Sequence, residues 1–268
     1  MPSEALCNQL TLEQENYKIL QLQKLIKENE KLNKLCNDEL YLRRFLLSTN
    51  FDVQAAFNRM NLFYELLLEY PDWYTRNNPI ECKSFIDMDI RLILPGEDKE
   101  GRPIYLMKFA NVDVDKMDIL DAVAVDDIML EVFFKEENIK NGLCVIIDVS
   151  NISLKMLKWL TPHNIKTGLK KLEATPIENY RFHVVKSSLI VNAAIKIIWP
   201  FLNDRIKEMV KFHYNNMQSL YEYIDKEILP TDLGGYTQID TEKLREKVYV
   251  CNNDILESFE KRRSIFLN

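Results

Sequence analysis

Apolar residues recur at helical spacing through the first part of the chain. Over residues 11–35, Leu12, Leu20, Leu22, Leu25, Ile26 and Leu32 stand among Glu, Gln and Lys, which predicts a helix. Asn37-Asp38 reads as the cap of a second helix, Glu39–Leu47, and a third runs over Val53–Tyr70 with Ala56, Met60, Phe63 and Leu67 on one face. From Met88 the texture changes. Ile90–Leu94 and Ile104–Phe109 are strand-like and flank a turn-rich connector, Pro95–Pro103. Gly142–Val149 is a continuous apolar run, as in a strand covered on both faces. Tyr180–Lys186 and Lys211–Tyr214 read as further strands. Helices are expected over Met117–Asn138, Leu154–Lys171, Met217–Ile228 and Thr241–Phe259. This alternation predicts an α/β fold: a helical module, then a mostly parallel sheet with crossover helices.

One stretch breaks the amphipathic pattern. Leu189–Leu202 is apolar almost throughout and is followed by the charged run Asn203–Glu208. It is shorter than the ~20 apolar residues that cross a bilayer, yet more apolar than a surface helix needs. Such a segment suits the cover of an apolar cavity, or contact with a membrane surface, and so points to a protein that handles a lipid.

Composition narrows the classes. Of 268 residues, 47% are hydrophobic and 28% charged, with a formal net charge of -6. That balance suits a globular protein and not a nucleic-acid binder, which presents a basic face. Five scattered cysteines (Cys7, Cys36, Cys82, Cys144, Cys251) fit free thiols in a reducing compartment. The N-terminus has no basic-then-apolar signal pattern, so a cytoplasmic location is expected. Six glycines form no phosphate-cradling loop, and His163, His183 and His213 have no metal-ligand spacing. No catalytic residues, no cofactor and no metal are expected, and the chain does not read as an enzyme.

Taken in order, several motifs resemble the CRAL-TRIO family of lipid-binding proteins, and within it the tocopherol- and retinaldehyde-carrying branch. They are Asp38–Leu46 with Asn50–Ala56, Gly101-Arg102-Pro103-Ile104-Tyr105, Gly142 to Asp148, Pro200-Phe201-Leu202 with Arg205-Ile206-Lys207, and Leu229-Pro230 with Leu233-Gly234-Gly235. The resemblance implies a helical module over 1–80, a lipid-binding domain over 81–240 and a C-terminal helix over 241–268 packing on the body. Residues 189–208 would then form a mobile gate over an internal lipid cavity. The lining implied by the family is Val125, Met129, Leu143, Ile147, Leu160, Gly168, Ile177 and Phe182, with Leu189, Ile190, Ala193 and Ile197 from the gate. Asp126, Asp127 and Glu131 share a helix with that lining; a solvated face is the favoured reading, a polar end for a ligand hydroxyl the alternative.

A ligand held this way needs few polar contacts. Burying roughly 400 Å² of apolar area is worth on the order of 10 kcal/mol, much of it offset by ordering. The partners implied are a hydrophobic small molecule (a retinoid, tocopherol or similar lipid) and, transiently, a membrane, with the protein a monomer. The membrane side would carry Ile195, Ile198, Trp199 and Phe201, with Arg181, Arg205, Lys207 and Lys211 nearby. Of the basic cleft by which tocopherol carriers grip phosphoinositides, only Arg205 is kept. Glu178, Tyr180 and Met209 stand at the other positions, and Leu47-Ser48-Thr49 lacks the arginine. Docking is therefore expected to be hydrophobic, and phosphoinositide binding is in doubt. The alternatives are phospholipid or phosphoinositide transfer and a protein-interaction module.

Overall fold

The computed structural model describes residues 10–35, 38–74, 78–136 and 138–266. Three helices open the chain: α1 (Leu12–Glu28), α2 (Glu39–Leu47) and α3 (Val53–Glu69). Each has a side-chain cap, Thr11 in a reciprocal box with Gln14, then Asp38 and Asp52. The helix expected over 11–35 stops at Glu28, because the Asn29 carboxamide accepts from the Lys31 and Leu32 amides and starts a turn. Leu22, Ile26, Leu42, Phe45, Leu46, Met60, Tyr64 and Leu67 form the core of this module.

The remaining elements are α4 (Lys83–Ile86), β1 (Arg91–Glu97), β2 (Pro103–Lys108), α5 (Ile119–Glu136), β3 (Cys144–Asp148), α6 (Pro162–Ala174), β4 (Arg181–Val185), α7 (Leu189–Ile198), α8 (Asp204–Met209), β5 (Val210–Tyr214), α9 (Met217–Leu220), α10 (Thr241–Val250) and α11 (Asn252–Arg263). The five strands lie in sequence order, β1 antiparallel to β2 and the rest parallel. Before β3 the backbone passes so close to its neighbour that a Cβ on Gly142 (φ 105°) would stand 2.3 Å from the Asn179 carbonyl oxygen. Only glycine fits there.

Three helix expectations change at their ends. Leu154–Lys171 divides into a 3-10 turn, Leu154–Trp159, and α6, which Thr161 caps and Pro162 opens. Met217–Ile228 is helical only in its first turn; the Asp225 carbonyl then accepts from both Ile228 and Leu229, and Ile224 and Leu229 pack on the sheet. Thr241–Phe259 is two helices that meet at Cys251.

A buried ion cluster joins the helical module to the sheet domain and to α11. Glu131 on α5 is 3% exposed. It accepts from Arg44 of α2 with both oxygens at 3.1 Å, and from Arg262 of α11. Asp127, one turn earlier, accepts from Lys171 of α6 at 2.8 Å. Asp126 accepts from the Arg91 Nε and the Tyr105 hydroxyl, both at 2.6 Å. These carboxylates are thus not a solvated face. Burial alone would raise the Glu131 carboxyl; the Arg44 and Arg262 guanidinium groups overcome it and hold it below its ordinary value.

Candidate lipid-binding cleft

Alternation along the strands puts Tyr105 and Met107, Val145 and Ile147, Phe182 and Val184, and Val210 and Phe212 on one face of the sheet. Helix α5 covers the β1–β3 side of it through Val125, Ile128, Met129 and Val132. Helix α7 covers the other side, where Val191 packs with Val149 and Val184. The two packed regions meet imperfectly. Phe109, Ile147 and Ile152 touch both and stay half-buried; Trp159, Leu172 and Phe182, which pack on the α5 side, are half-buried too. Ile147 is the one residue of the central strand β3 that is not buried. A Cβ on Gly168 of α6 would meet nothing within 4 Å. These half-buried apolar side chains line the junction between the part of the sheet face that α5 covers and the part that α7 covers.

The implied lining residues divide three ways. Ile147, Leu160, Gly168 and Phe182 are half-buried, Ile147 at that junction and Phe182 on its α5 side. Val125, Met129, Leu143 and Ile177 are buried within the packed core. Leu189, Ala193 and Ile197, expected to face inward, are exposed, Leu189 at 87%. The side chain of Ile190 lies outside the described residues. The inward stripe of α7 is instead Val191, Ala194, Ile195 and Ile198, at i, i+3, i+4 and i+7. Ile195 and Ile198 were expected on the membrane side and are half-buried. Trp199 is half-buried with its ring 5.7 Å from that of Phe212, and Phe201 is half-buried. A segment apolar on every side does not disclose which stripe turns inward, so the phase was not legible.

The basic residues are mostly engaged. Arg181 is half-buried and donates to the Glu208 carbonyl. Arg205 is bonded to Glu178, whose other oxygen accepts from Arg59 of α3 at 2.5 Å. Lys207 pairs with Asp204 at 3.3 Å, and Lys211 is exposed on β5. A cavity of about 310 Å³ lies away from α7, where α2, α5 and α11 meet, beside Arg44, Glu131, Phe134, Ile177 and Ser258.

Behind the sheet, sequence reasoning missed a histidine pair. His183 Nδ1 lies 2.8 Å from His213 Nε2, and His213 Nδ1 lies 2.7 Å from the Ser219 hydroxyl, which donates to the Asn216 carbonyl. In the neutral pair, Ser219 therefore accepts from His213 and His213 accepts from His183. Burial first, and His213 second, push His183 down to about 3. The two residues stand thirty positions apart on adjacent strands, so only the strand pairing reveals them.

Among the described residues no helix is long and apolar enough to cross a membrane. In comparisons with known proteins, the chain is 28% identical over 222 residues to Clavesin-1 of Rattus norvegicus, covering 81% of this chain and 62% of that protein. It is 29% identical over 213 residues to Clavesin-2 of Mus musculus, covering 75% and 63%. The chain thus spans less than two thirds of the length of these relatives. A solved structure described as the crystal structure of Sfh5 superposes with a TM-score of 0.52 at 12% identity, covering 93% of this chain and 99% of the other, a likeness of fold alone. The CRAL/TRIO domain model matches residues 87–235, more than half of the sequence and all five strands. The chain belongs to the CRAL/TRIO family, a family of lipid-binding and lipid-transfer domains.

Proposed function

We propose that this protein is a carrier, without covalent chemistry, that takes up a hydrophobic small molecule in the cleft under α7 and exchanges it at membranes. The observation that carries this reading is Ile147. A residue in the middle of a five-stranded sheet, with helices packed over its face, is left half-open among Phe109, Ile152 and Phe182. Completing the burial of that wall with an apolar ligand supplies affinity without ion pairs. The ligand is a retinoid, a tocopherol or a lipid of similar shape. Helix α7 acts as the gate. Its exposed stripe, Leu189, Ala193 and Ile197, is the surface that meets the bilayer, and the bilayer's preference for that stripe shifts the population toward the open state. Docking is hydrophobic and independent of phosphoinositides, because Glu178 already occupies Arg59 and Arg205. The carrier works in the cytoplasm as a monomer.

The experiment is native mass spectrometry of the purified protein, followed by organic extraction and identification of what is released. A stoichiometric apolar molecule is expected. A clean ligand-free mass, unchanged after incubation with retinoids, tocopherols, sterols and phospholipids, would sink the carrier and favour a protein-interaction module.

A further inference from the structure

The two ends of α7 are built differently, and the difference sets a direction of movement. At the N-terminal end, Lys186 sits in the left-handed region at φ 57°, a conformation that costs a side-chain-bearing residue energy. It is clamped there. Its ammonium donates to Asp148 at 2.8 Å, and its amide donates at 2.6 Å to the carbonyl of Tyr214, itself left-handed at φ 52°. The next two residues, Ser187 and Ser188, have hydroxyl oxygens buried with no hydrogen-bond partner. Ser188 holds the N-cap position of α7 but makes no side-chain cap. The closed state therefore carries two strained backbones, two orphan hydroxyls and an uncapped helix at one point. All three are relieved if that end lifts: the backbones relax, the hydroxyls meet water, and Ser188 is free to accept from a first-turn amide.

The C-terminal end lacks these liabilities. Leu202 donates to the Trp199 carbonyl, Asn203 caps α8 by accepting from Ile206 at 2.9 Å, and its carboxamide donates to Glu173 of α6 at 2.9 Å. Trp199 lies against Phe212, and Arg205 is held by Glu178. Among the described residues, none from Ser187 to His213 has a positive φ.

We infer that α7 opens from its N-terminal end, with the strained Lys186–Ser188 segment as the release point and the Trp199–Asn203 corner as the pivot. This rests on the reading of α7 as a gate. It adds which end moves and which residues destabilise closure. Ser187 and Ser188 act as positioning residues of the gate.

Hydrogen exchange read by mass spectrometry on the whole protein in buffer tests it, with no lipid needed. In the wild type, the amides of Asn192–Ile195 are expected to exchange faster than those of Trp199, Leu202 and Ile206. In S187A/S188A the orphan hydroxyls are gone and no existing bond is lost. Exchange at Asn192–Ile195 should then slow roughly tenfold, with Trp199, Leu202 and Ile206 unchanged. Tyr214→Gly, which relieves one strained backbone but keeps the carbonyl that Lys186 uses, should slow it in the same direction. Faster exchange after Trp199 than before it, or no protection in either variant, would overturn the inference. Uptake of a fluorescent apolar lipid from neutral phosphatidylcholine vesicles is measured separately. Uptake with the reversed exchange pattern keeps the carrier and rejects the pivot; the expected pattern without uptake does the opposite.

Discussion

Glu131 shows how much one side chain holds here. Its carboxylate, 3% exposed, lies between two guanidinium groups from opposite parts of the chain. Truncating it leaves the buried Arg262 and the half-buried Arg44 without their main acceptor. Glu131→Ala is expected to cost about 3–5 kcal/mol of stability, the usual loss when one partner of a buried pair is removed, and urea unfolding measures it. The histidine pair makes a different demand. His183 has an ordinary value of 6.5 and a folded value of about 3. Between those values the unfolded chain binds the proton and the folded chain refuses it. Stability is therefore fully present above 6.5 and is lost as pH falls toward 3, with a slope approaching about 1.4 kcal/mol per pH unit for one proton. Thermal unfolding midpoints across that window should fall in the wild type and less steeply in His183→Asn, whose amide stands where Nδ1 does and still donates to His213. A slope unchanged in the variant would assign the loss to other groups.

At the scale of elements, α7 separates two kinds of apolar residue. Val191 and Ala194 are closed inside, while Leu189 and Ile197 stand in water at 87% and 41% exposure. Full burial of a side chain of that size is worth about 1.5–3 kcal/mol. L189E/I197E is thus expected to reduce sedimentation with neutral vesicles more than tenfold while moving the unfolding midpoint little. The sheet itself was legible, because Gly142–Val149 is an apolar run of strand length, as in a parallel strand buried on both faces, and Tyr180–Lys186 is rich in aromatic and β-branched residues. The helical module was legible through its caps and spacing. What stayed hidden was phase and partnership. Leu189–Ile198 is apolar on every side, so spacing could not choose its inner stripe. Asp126, Asp127 and Glu131 have the spacing of a solvated face, and only Arg44, Arg91, Lys171 and Arg262, distant in sequence, turn it into an interior one.

For the whole molecule, a ligand that binds only the folded state adds stability by mass action. At a free concentration of a hundred times its dissociation constant the gain is about 2.7 kcal/mol. An apolar molecule that fills the cleft should therefore raise the unfolding midpoint in a concentration-dependent way. An Ile147→Thr variant, which puts a hydroxyl on the half-buried wall between the α5 and α7 sides of the sheet, should lose much of that increment. Absence of any midpoint shift with a molecule seen bound by mass spectrometry would place it outside the folded cleft.

The ion cluster also bears on what α11 secures. Arg44 of α2 and Arg262 of α11 meet on one carboxylate, Glu131 of α5. Arg262 also lies 3.9 Å from Asp127. Without α11, both acids lose a buried positive charge while Arg44, Lys171 and Arg91 keep theirs on α5. The helix therefore works as a clasp: a proteolytic cut that released it would loosen the helical module from the sheet domain as well.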